Sequence, residues 1–367
     1  MHQGKSIPLE QPVELGRRDI ALSVIVPVLN GGEVLPLTLG ALVASDFPRP
    51  RWELIVVDDA SRDDSAVVAA RYADTVVSLG EVPRGPAYAR NQGAEVARGT
   101  HLVFLDADVR LHPDALRLIG GLFERQPDIG AAFGAYDATP PARGLVSQYR
   151  NLLHHYVHAH EEGEAETFWA GLGAVRAEVF RAAGGFDARR YPRPQIEDIE
   201  LGHRIRALGY RILLRPEIQG THLKRWTLGK MIVTDVRDRG IPWMRLIRQR
   251  PASPGTLNLR TGEKVYTVLA GVAIVSLLAA LASFDSRWLL PVVVCICIIL
   301  GGNLPLLAWF ARVRGWWFAT RVIPLRLLYY FLNVVSVVLG LASVGGGAAE
   351  SHIGSVRETP VDREALG

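Results

Sequence analysis

From Val265 to Phe284 the chain runs for 20 residues without a charged side chain. A helix over that stretch reaches about 30 Å, the thickness of bilayer hydrocarbon. Trp288 to Phe310 makes a second apolar run, interrupted by Pro291, Asn303 and Pro305, and Leu327 to Val344 makes a third, shorter one. Three such runs in succession predict three membrane-spanning helices within residues 261–345, followed by a polar tail over 346–367. The loop between the first two is only Asp285, Ser286 and Arg287, whereas the stretch before the third carries Arg312, Arg314, Arg321 and Arg326 beside paired tryptophans. Positive loops stay inside, and the polar segment 1–20 lacks the apolar stretch of a leader. The expectation is a multi-pass protein of the cell membrane whose N-terminal part is cytoplasmic and whose Gly-rich tail from Gly345 lies outside.

Ahead of Arg260 the chain is different in kind. The 367 residues carry 41 Lys and Arg against 37 Asp and Glu, a net charge of +4, with 49% hydrophobic and 21% charged residues. That balance excludes a disordered chain, and the length allows two or three folded units. The arginines flank apolar runs rather than forming a soluble basic domain, so the expected partner is a membrane with anionic headgroups and no nucleic acid. Cys295 and Cys297 lie inside an apolar run and provide no disulfide framework. Residues 227–260 mix Leu, Ile, Met and Trp with Lys230, Arg237, Arg239, Arg245, Arg248 and Arg250. Two readings fit them: an interfacial segment broken at Gly240 and Pro242, or an amphipathic helix packed on the soluble domain.

Within residues 21–226 short β-branched runs alternate with helical patterns. LSVIVPV at 22–28 leads through Asn30, Gly31 and Gly32 into a helix over 33–44, and ELIVVDD ends in Asp58 and Asp59. A helix from Asp63, the strand DTVVSL, a helix over 87–97 and the strand HLVFLDAD follow. This α/β alternation predicts a largely parallel sheet covered on both faces, with ligands beyond the carboxyl ends of the strands. Both acidic clusters fall at such ends. Asp106 and Asp108 suit a hard divalent cation, Mg2+ or Mn2+, on a diphosphate, although Asp108 in isolation also suits a turn or a helix cap. Asp59 suits a hydrogen bond from a base N–H, while Ser61 or Asp63 suits the cap of the next helix. Asp198 falls in the first turn of a helix starting near Glu197, where a carboxylate also interacts with the helix dipole.

The ordered set VIVPVLNGGE, VVDDAS, ARNQGAEVARGTHLVFLDAD, GGFD and EDIELGHRIRALGYRI resembles the family 2 glycosyltransferases over about residues 22–226. The resemblance implies the GT-A fold, a Rossmann-like mixed sheet that binds a nucleotide sugar. It implies that Pro27, Asn30, Glu33, Asp59 and Arg90 line the nucleotide pocket and that Asp106 and Asp108 hold the cation on the diphosphate. It makes Asp198 the general base, which takes the proton of an acceptor hydroxyl while the bond forms opposite the leaving group, giving inversion. Glu197 then orients the acceptor or caps the helix.

The segment from Trp169 to Asp187 resembles the family's acceptor and donor-sugar region. There Trp169 is suited to stack on a sugar and Gly171 to let backbone approach one, while Gly184 and Gly185 end a helix. HLKRW, His222 to Trp226, resembles the QxxRW signature of membrane-bound members with His in place of Gln. His222 then completes the metal shell, Arg225 pairs with diphosphate and Trp226 stacks on an acceptor ring, unless Arg225 and Trp226 simply mark a membrane surface. His154, His155, His158 and His160 read as a solvated polar helix. The expected donor is UDP- or GDP-linked and the expected acceptor is a lipid or lipid-linked hydroxyl or phosphate. A processive polysaccharide synthase and a noncatalytic sugar-nucleotide scaffold are the alternatives.

Overall fold

In a computed structural model of the chain, residues 20–249 and 261–342 are described. The expectations for the N-terminal tail, for Arg250 to Arg260 and for the tail beyond Ala342 lie outside them.

The nine strands are β1 Leu22–Val28, β2 Trp52–Asp58, β3 Thr75–Ser78, β4 His101–Leu105, β5 Val109–Leu111, β6 Ile129–Tyr136, β7 Gly163–Ala165, β8 Leu172–Arg176 and β9 Arg211–His222. The helices around them are α1 Leu35–Val43, α2 Ser65–Ala69, α3 Pro86–Val96, α4 Ala115–Arg125, α5 Leu145–Ala159, α6 Ala177–Ala182 and α7 Glu197–Ala207. One sheet runs in the order β3-β2-β1-β4-β8-β6-β9-β5, with β7 paired to β9. The first four are mutually parallel, as are β6 and β9, whereas β8 runs antiparallel to both β4 and β6, and β5 and β7 antiparallel to β9. The largely parallel sheet expected from the strand–helix alternation is therefore corrected to a mixed one. The alternation that predicts βαβ units stops at β4, and the chain then fills the far half with strands of both directions.

Both faces of the sheet are covered, which is why β1 and β2 are apolar at nearly every position. Val24, Val26, Leu54 and Val56 pack under α1 and α4, while Ile25, Ile55 and Val57 pack on the opposite face with Ala87, Phe180, Leu201 and Ile205. Gly184 and Gly185, both at positive φ, follow α6, and their N–H groups return to Arg181 O and Phe180 O. They end the helix as their type predicts.

After β9 come α8 Leu228–Val233, a π-helical turn over Thr234–Gly240 and α9 Ile241–Gln249, in unbroken succession. The chain is thus not interrupted at Gly240 or Pro242. These elements pack on the C-terminal helices: a side chain at Gly240 would collide with Ser336, and one at Gly340 would meet Met244. The described part of 227–260 is helical and also touches the soluble domain, through Leu246 beside Tyr191 and Ile196 and through Asp235 on Arg150.

Next are α10 Thr261–Ser283, α11 Leu289–Gly302, α12 Leu304–Arg314, α13 Trp316–Arg321 and α14 Ile323–Ala342. Two stretches, Gly262–Ser283 and Trp316–Ala342, are long and apolar enough to cross a membrane. The expected span over Trp288–Phe310 is instead bent by 57° between Gly302 and Leu304, so the count is two, or three if the bent pair is one span. Asn303 causes the break. Its Nδ2 donates to Ile299 O at 2.8 Å and its Oδ1 accepts from Arg326 Nε at 2.7 Å, while Pro305 supplies no N–H to continue the ladder. Arg326 also donates to Glu263 Oε1 at 2.6 Å, so Glu263 on α10, Asn303 and Arg326 on α14 form one buried polar junction. Beyond the bend, Leu306, Leu307 and Phe310 of α12 pack with Tyr149 and Leu152 of α5 and with Trp226. The apolar character that suggested membrane is spent there on the soluble domain.

Candidate active site

The acidic residues collect where β4, β8 and α7 meet. Asp106 follows β4, and its N–H donates to Gly171 O at 3.1 Å. One residue earlier, the Ala170 N–H donates to Asp198 Oδ2 at 3.1 Å. The segment 169–171 therefore fixes both carboxyl-bearing residues. A second bridge is Arg90 of α3, whose buried guanidinium donates to Asp106 Oδ1 at 2.7 Å and to Glu197 Oε1 at 2.9 Å. Arg90 Nε is buried without a partner among the described residues.

Asp198 Oδ1 also accepts from the Ile199 N–H at 2.8 Å. Burial pushes the Asp198 carboxyl up to about 7, and the neighbouring Glu197 pushes in the same direction. A carboxyl poised near neutrality is a usual property of a general base. Its protonated form prevails below about pH 7 and its ionised form above it, so kcat/KM is expected to rise with pH through that value. Asp198→Asn is expected to lose that limb of the profile, and a pH–rate series on both proteins tests it. Folding follows the opposite slope: the contribution from protonated Asp198 is complete below its ordinary value and is lost as pH climbs through 7.

Asp108 lies across from β9, because Val109 of β5 pairs with His222. His222 Nε2 stands 3.6 Å from Asp108 Oδ1. Asn151 Nδ2 donates to Lys224 O, which turns Asn151 Oδ1 to accept from both His222 Nδ1 at 2.7 Å and Trp226 Nε1 at 3.2 Å. With Nδ1 donating, Nε2 presents a lone pair toward a carboxylate oxygen, an arrangement that calls for a cation or a proton between them. Burial raises the Asp108 carboxyl, but the hydrogen bond and charge of His222, with Lys224, outweigh this and hold it below its ordinary value.

Among the described residues no three His, Cys, Asp or Glu side chains surround a common point. Two protein donors still fit an ion whose other positions are filled by phosphate oxygens and water. A nitrogen donor beside carboxylate suits Mn2+ better than Mg2+.

The expected nucleotide residues lie at the same carboxyl end of the parallel strands, after β1 and β2. Asp59 accepts from the N–H groups of Arg84 at 2.7 Å and Gly85 at 2.8 Å, so both its oxygens already hold a loop. Gly85 is at φ +90, and a Cβ there would strike the Pro192 carbonyl. Asn30, at φ +53, accepts from Arg62 N at 2.8 Å through Oδ1. Ser61, Ser65 and Asp63 accept from the N–H groups of Asn30, Gly31 and Gly32 in turn. Ser61 and Asp63 thus strap two loops together, and Asp63 Oδ1 also accepts from Ser65 N at 3.1 Å, the first N–H of α2. Pro27 is half-buried and Glu33 exposed.

Four assignments take a different form in the structure. Glu197 is buried as the partner of Arg90 and also accepts from Gln195 N, so it positions Arg90 rather than an acceptor. Trp226 is buried in the cluster that joins α5 to α12 and acts on the site only through Asn151. Arg225 is exposed, and among the described residues no bond ties it to the acidic cluster. A Cβ at Gly171 would lie 2.5 Å from Trp169 Cζ2, so this glycine makes room for the Trp169 ring. Trp169 packs edge-on against Tyr136 and His158 with ring centres 4.7 and 4.8 Å apart.

The histidine-rich helix is the largest correction. α5 packs on β6, so His154 and His158 are not solvated: His154 stacks on Tyr136 and His158 meets Phe133 and Trp169. Burial and the charge of Arg239 hold His154 well below its ordinary value and His158 at about 4, so both are neutral. Tyr136, stacked on His222 at 4.2 Å with the rings 8° from parallel, and Arg239, bonded to His154 at 3.3 Å, were not signalled as site residues by any motif.

Residues 23–182 match the family model described as glycosyl transferase family 2. They form a family 2 glycosyltransferase domain. The chain is 31% identical over 134 residues to the glycosyltransferase AglE of Haloferax volcanii, covering 32% of this chain and 44% of that protein. It is 34% identical over 114 residues to the amylovoran biosynthesis glycosyltransferase AmsB of Erwinia amylovora, covering 29% and 37%. The matches thus span less than half the length of either relative. Among solved structures, the mannosyltransferase PcManGT of Pyrobaculum calidifontis in complex with GDP-Man and Mn2+ aligns at a TM-score of 0.53 and 20% identity over 86% of each chain. S. aureus TarS in complex with UDP-GlcNAc aligns at 0.50 and 17%, over 89% of this chain and 92% of that one. The glycosyltransferase domain therefore has the GT-A fold.

Proposed function

We propose that this chain transfers a sugar, with inversion, from a UDP- or GDP-linked donor to an acceptor at a membrane. The observation that carries the reading is the pairing at 169–171: adjacent peptide groups hold Asp198, poised near neutrality, and Asp106, the first carboxylate of the diphosphate end. Asp198 takes the acceptor proton as the new bond forms. Arg90 and Glu197 keep Asp106 and the start of α7 in register, and the glycine at 171 lets Trp169 close one wall. Asp108 and His222 are the residues that would hold a divalent cation; when bound, the ion would stabilise charge developing on the departing nucleoside diphosphate. Asp59 and the Asn30 loop stand where a base and ribose would lie.

The relatives' GDP-Man and UDP-GlcNAc complexes support a nucleotide-sugar donor of either base. The two apolar helices and the packing of α12 on α5 support a membrane-held protein, and the arginines before α14 favour a cytoplasmic catalytic domain. A lipid or lipid-linked acceptor follows from that location. The test is nucleotide binding and product analysis on the full chain in membranes. UDP or GDP is expected to bind in the presence of Mn2+ and to weaken on chelation, and Asp108→Ala is expected to remove the metal-dependent part. Unchanged affinity in all four conditions would sink the cation role. Mass spectrometry of membranes fed a panel of nucleotide sugars should reveal a glycosylated lipid; long polymer instead would point to a synthase.

A further inference from the structure

Arg239 sits at a place the transferase reading leaves unexplained. It belongs to the π-helical turn Thr234–Gly240, a backbone form often found at functional sites. Asp235 and Arg239 both face α5 from this turn. Asp235 is bonded to Arg150 through both oxygens, at 2.5 and 3.2 Å, and reaches Arg239 only by its charge through space. The only bond Arg239 makes among the described residues is from Nη1 to His154 Nε2, at 3.3 Å. His154 is neutral, so Arg239 is a half-buried cation with no carboxylate bonded to it among the described residues. Such a charge is costly unless an anion arrives to meet it.

Its surroundings say where that anion would lie. His154 stacks on Tyr136 with ring centres 5.9 Å apart, and Tyr136 stacks on His222, which faces Asp108. Arg239 and the cation pair are thus the two ends of one row of rings. The charge of Asp198 reaches Arg239 through space. On its other side the turn is buttressed by α14, whose Ser336 packs where only glycine fits at position 240. Arg239 therefore stands between the candidate base and a helix able to cross a membrane.

We infer that Arg239, backed by His154, binds a phosphate group carried by the acceptor, so that the acceptor is a phosphorylated lipid rather than a neutral one. This rests on the transferase reading and names the acceptor class for the same site. Arg239 holds the phosphate and positions the acceptor, while a hydroxyl of the same lipid bonds to the anomeric carbon of the donor sugar, its proton goes to Asp198 and the bond to the departing nucleoside diphosphate breaks.

The experiment uses the full chain in neutral detergent and measures binding of dodecyl phosphate, dodecanol and inorganic phosphate, with UDP and GDP plus Mn2+ in parallel. Dodecyl phosphate is expected to bind more tightly than dodecanol. Arg239→Gln should weaken it about thirtyfold, as for truncating one partner of a desolvated charge pair. Arg239→Lys should recover part of the loss. Arg237→Gln, an exposed arginine of the same turn paired with Asp238, should change nothing. Inorganic phosphate competing only at much higher concentration assigns the site to a lipid phosphate. Competition at equal concentration shows that the site takes the free anion and overturns the lipid assignment. Equal affinity for dodecyl phosphate in wild type and Arg239→Gln, or equal binding of dodecanol, overturns the inference as a whole. Failure of wild type to bind either nucleotide would instead undo the transferase reading, so the two failures are distinct.

Discussion

Asp198→Asn is expected to lower turnover by about a hundredfold to ten-thousandfold, the usual worth of a positioned general base. Nucleotide affinity should hardly change, because the amide keeps an oxygen that can still accept from Ala170 N. The loss should therefore appear in kcat and not in donor binding, the pattern of an interaction used only in the transition state. Release of nucleoside diphosphate, measured for both proteins above pH 7, checks this. Equal rates would remove Asp198 from the chemistry. Below pH 7 the gap should narrow, since wild-type Asp198 becomes protonated there and resembles the amide in charge.

Arg90→Met is expected to cost about 3–5 kcal/mol of folding stability. Methionine fills much of the volume, but it leaves Glu197 as a buried carboxylate whose one remaining side-chain bond among the described residues is from Gln195 N. Asp106 loses its side-chain tether at the same time and stays anchored through its backbone, whose N–H donates to Gly171 O and whose carbonyl accepts from Val109 N. Glu197→Gln added to Arg90→Met should restore a large part of the stability, because the uncompensated charge and not the missing cation carries most of the cost. Denaturant midpoints of the two single variants and the double variant decide it. Additive losses would show that Arg90 and Glu197 do not act as a pair.

Much of this was readable from residue order. Solid apolar runs located β1, β2 and β4, the last two ending in acid residues, since a strand covered on both faces must be apolar throughout and ligands gather at its carboxyl end. Asp198 was readable as the second residue of a helix start, and Gly184 and Gly185 as a helix stop. His222 was readable only as a departure from a signature, and its pairing with Asp108 depends on the β5–β9 register, which spacing does not reveal.

One element was misread for a physical reason. α5 looks solvated because its histidines are polar, but Tyr136 and Trp169, distant in the chain, cover His154 and His158. The bend in Trp288–Phe310 likewise depends on distant partners, since α5 receives Phe310. Trp226 likewise looks like a stacking platform until its indole is seen donating to Asn151.

Local order of apolar and acidic residues determined the α/β class, the helix stops, the acidic strand ends and the presence of long apolar helices, because each depends on neighbours within a turn or a strand. Only the tertiary structure decided which acids share a cluster, which arginines are paired, where the second apolar run bends and that Arg239 faces the site. Those follow from contacts between residues up to more than a hundred positions apart, as Arg90 and Glu197 are, and no local pattern encodes the partner.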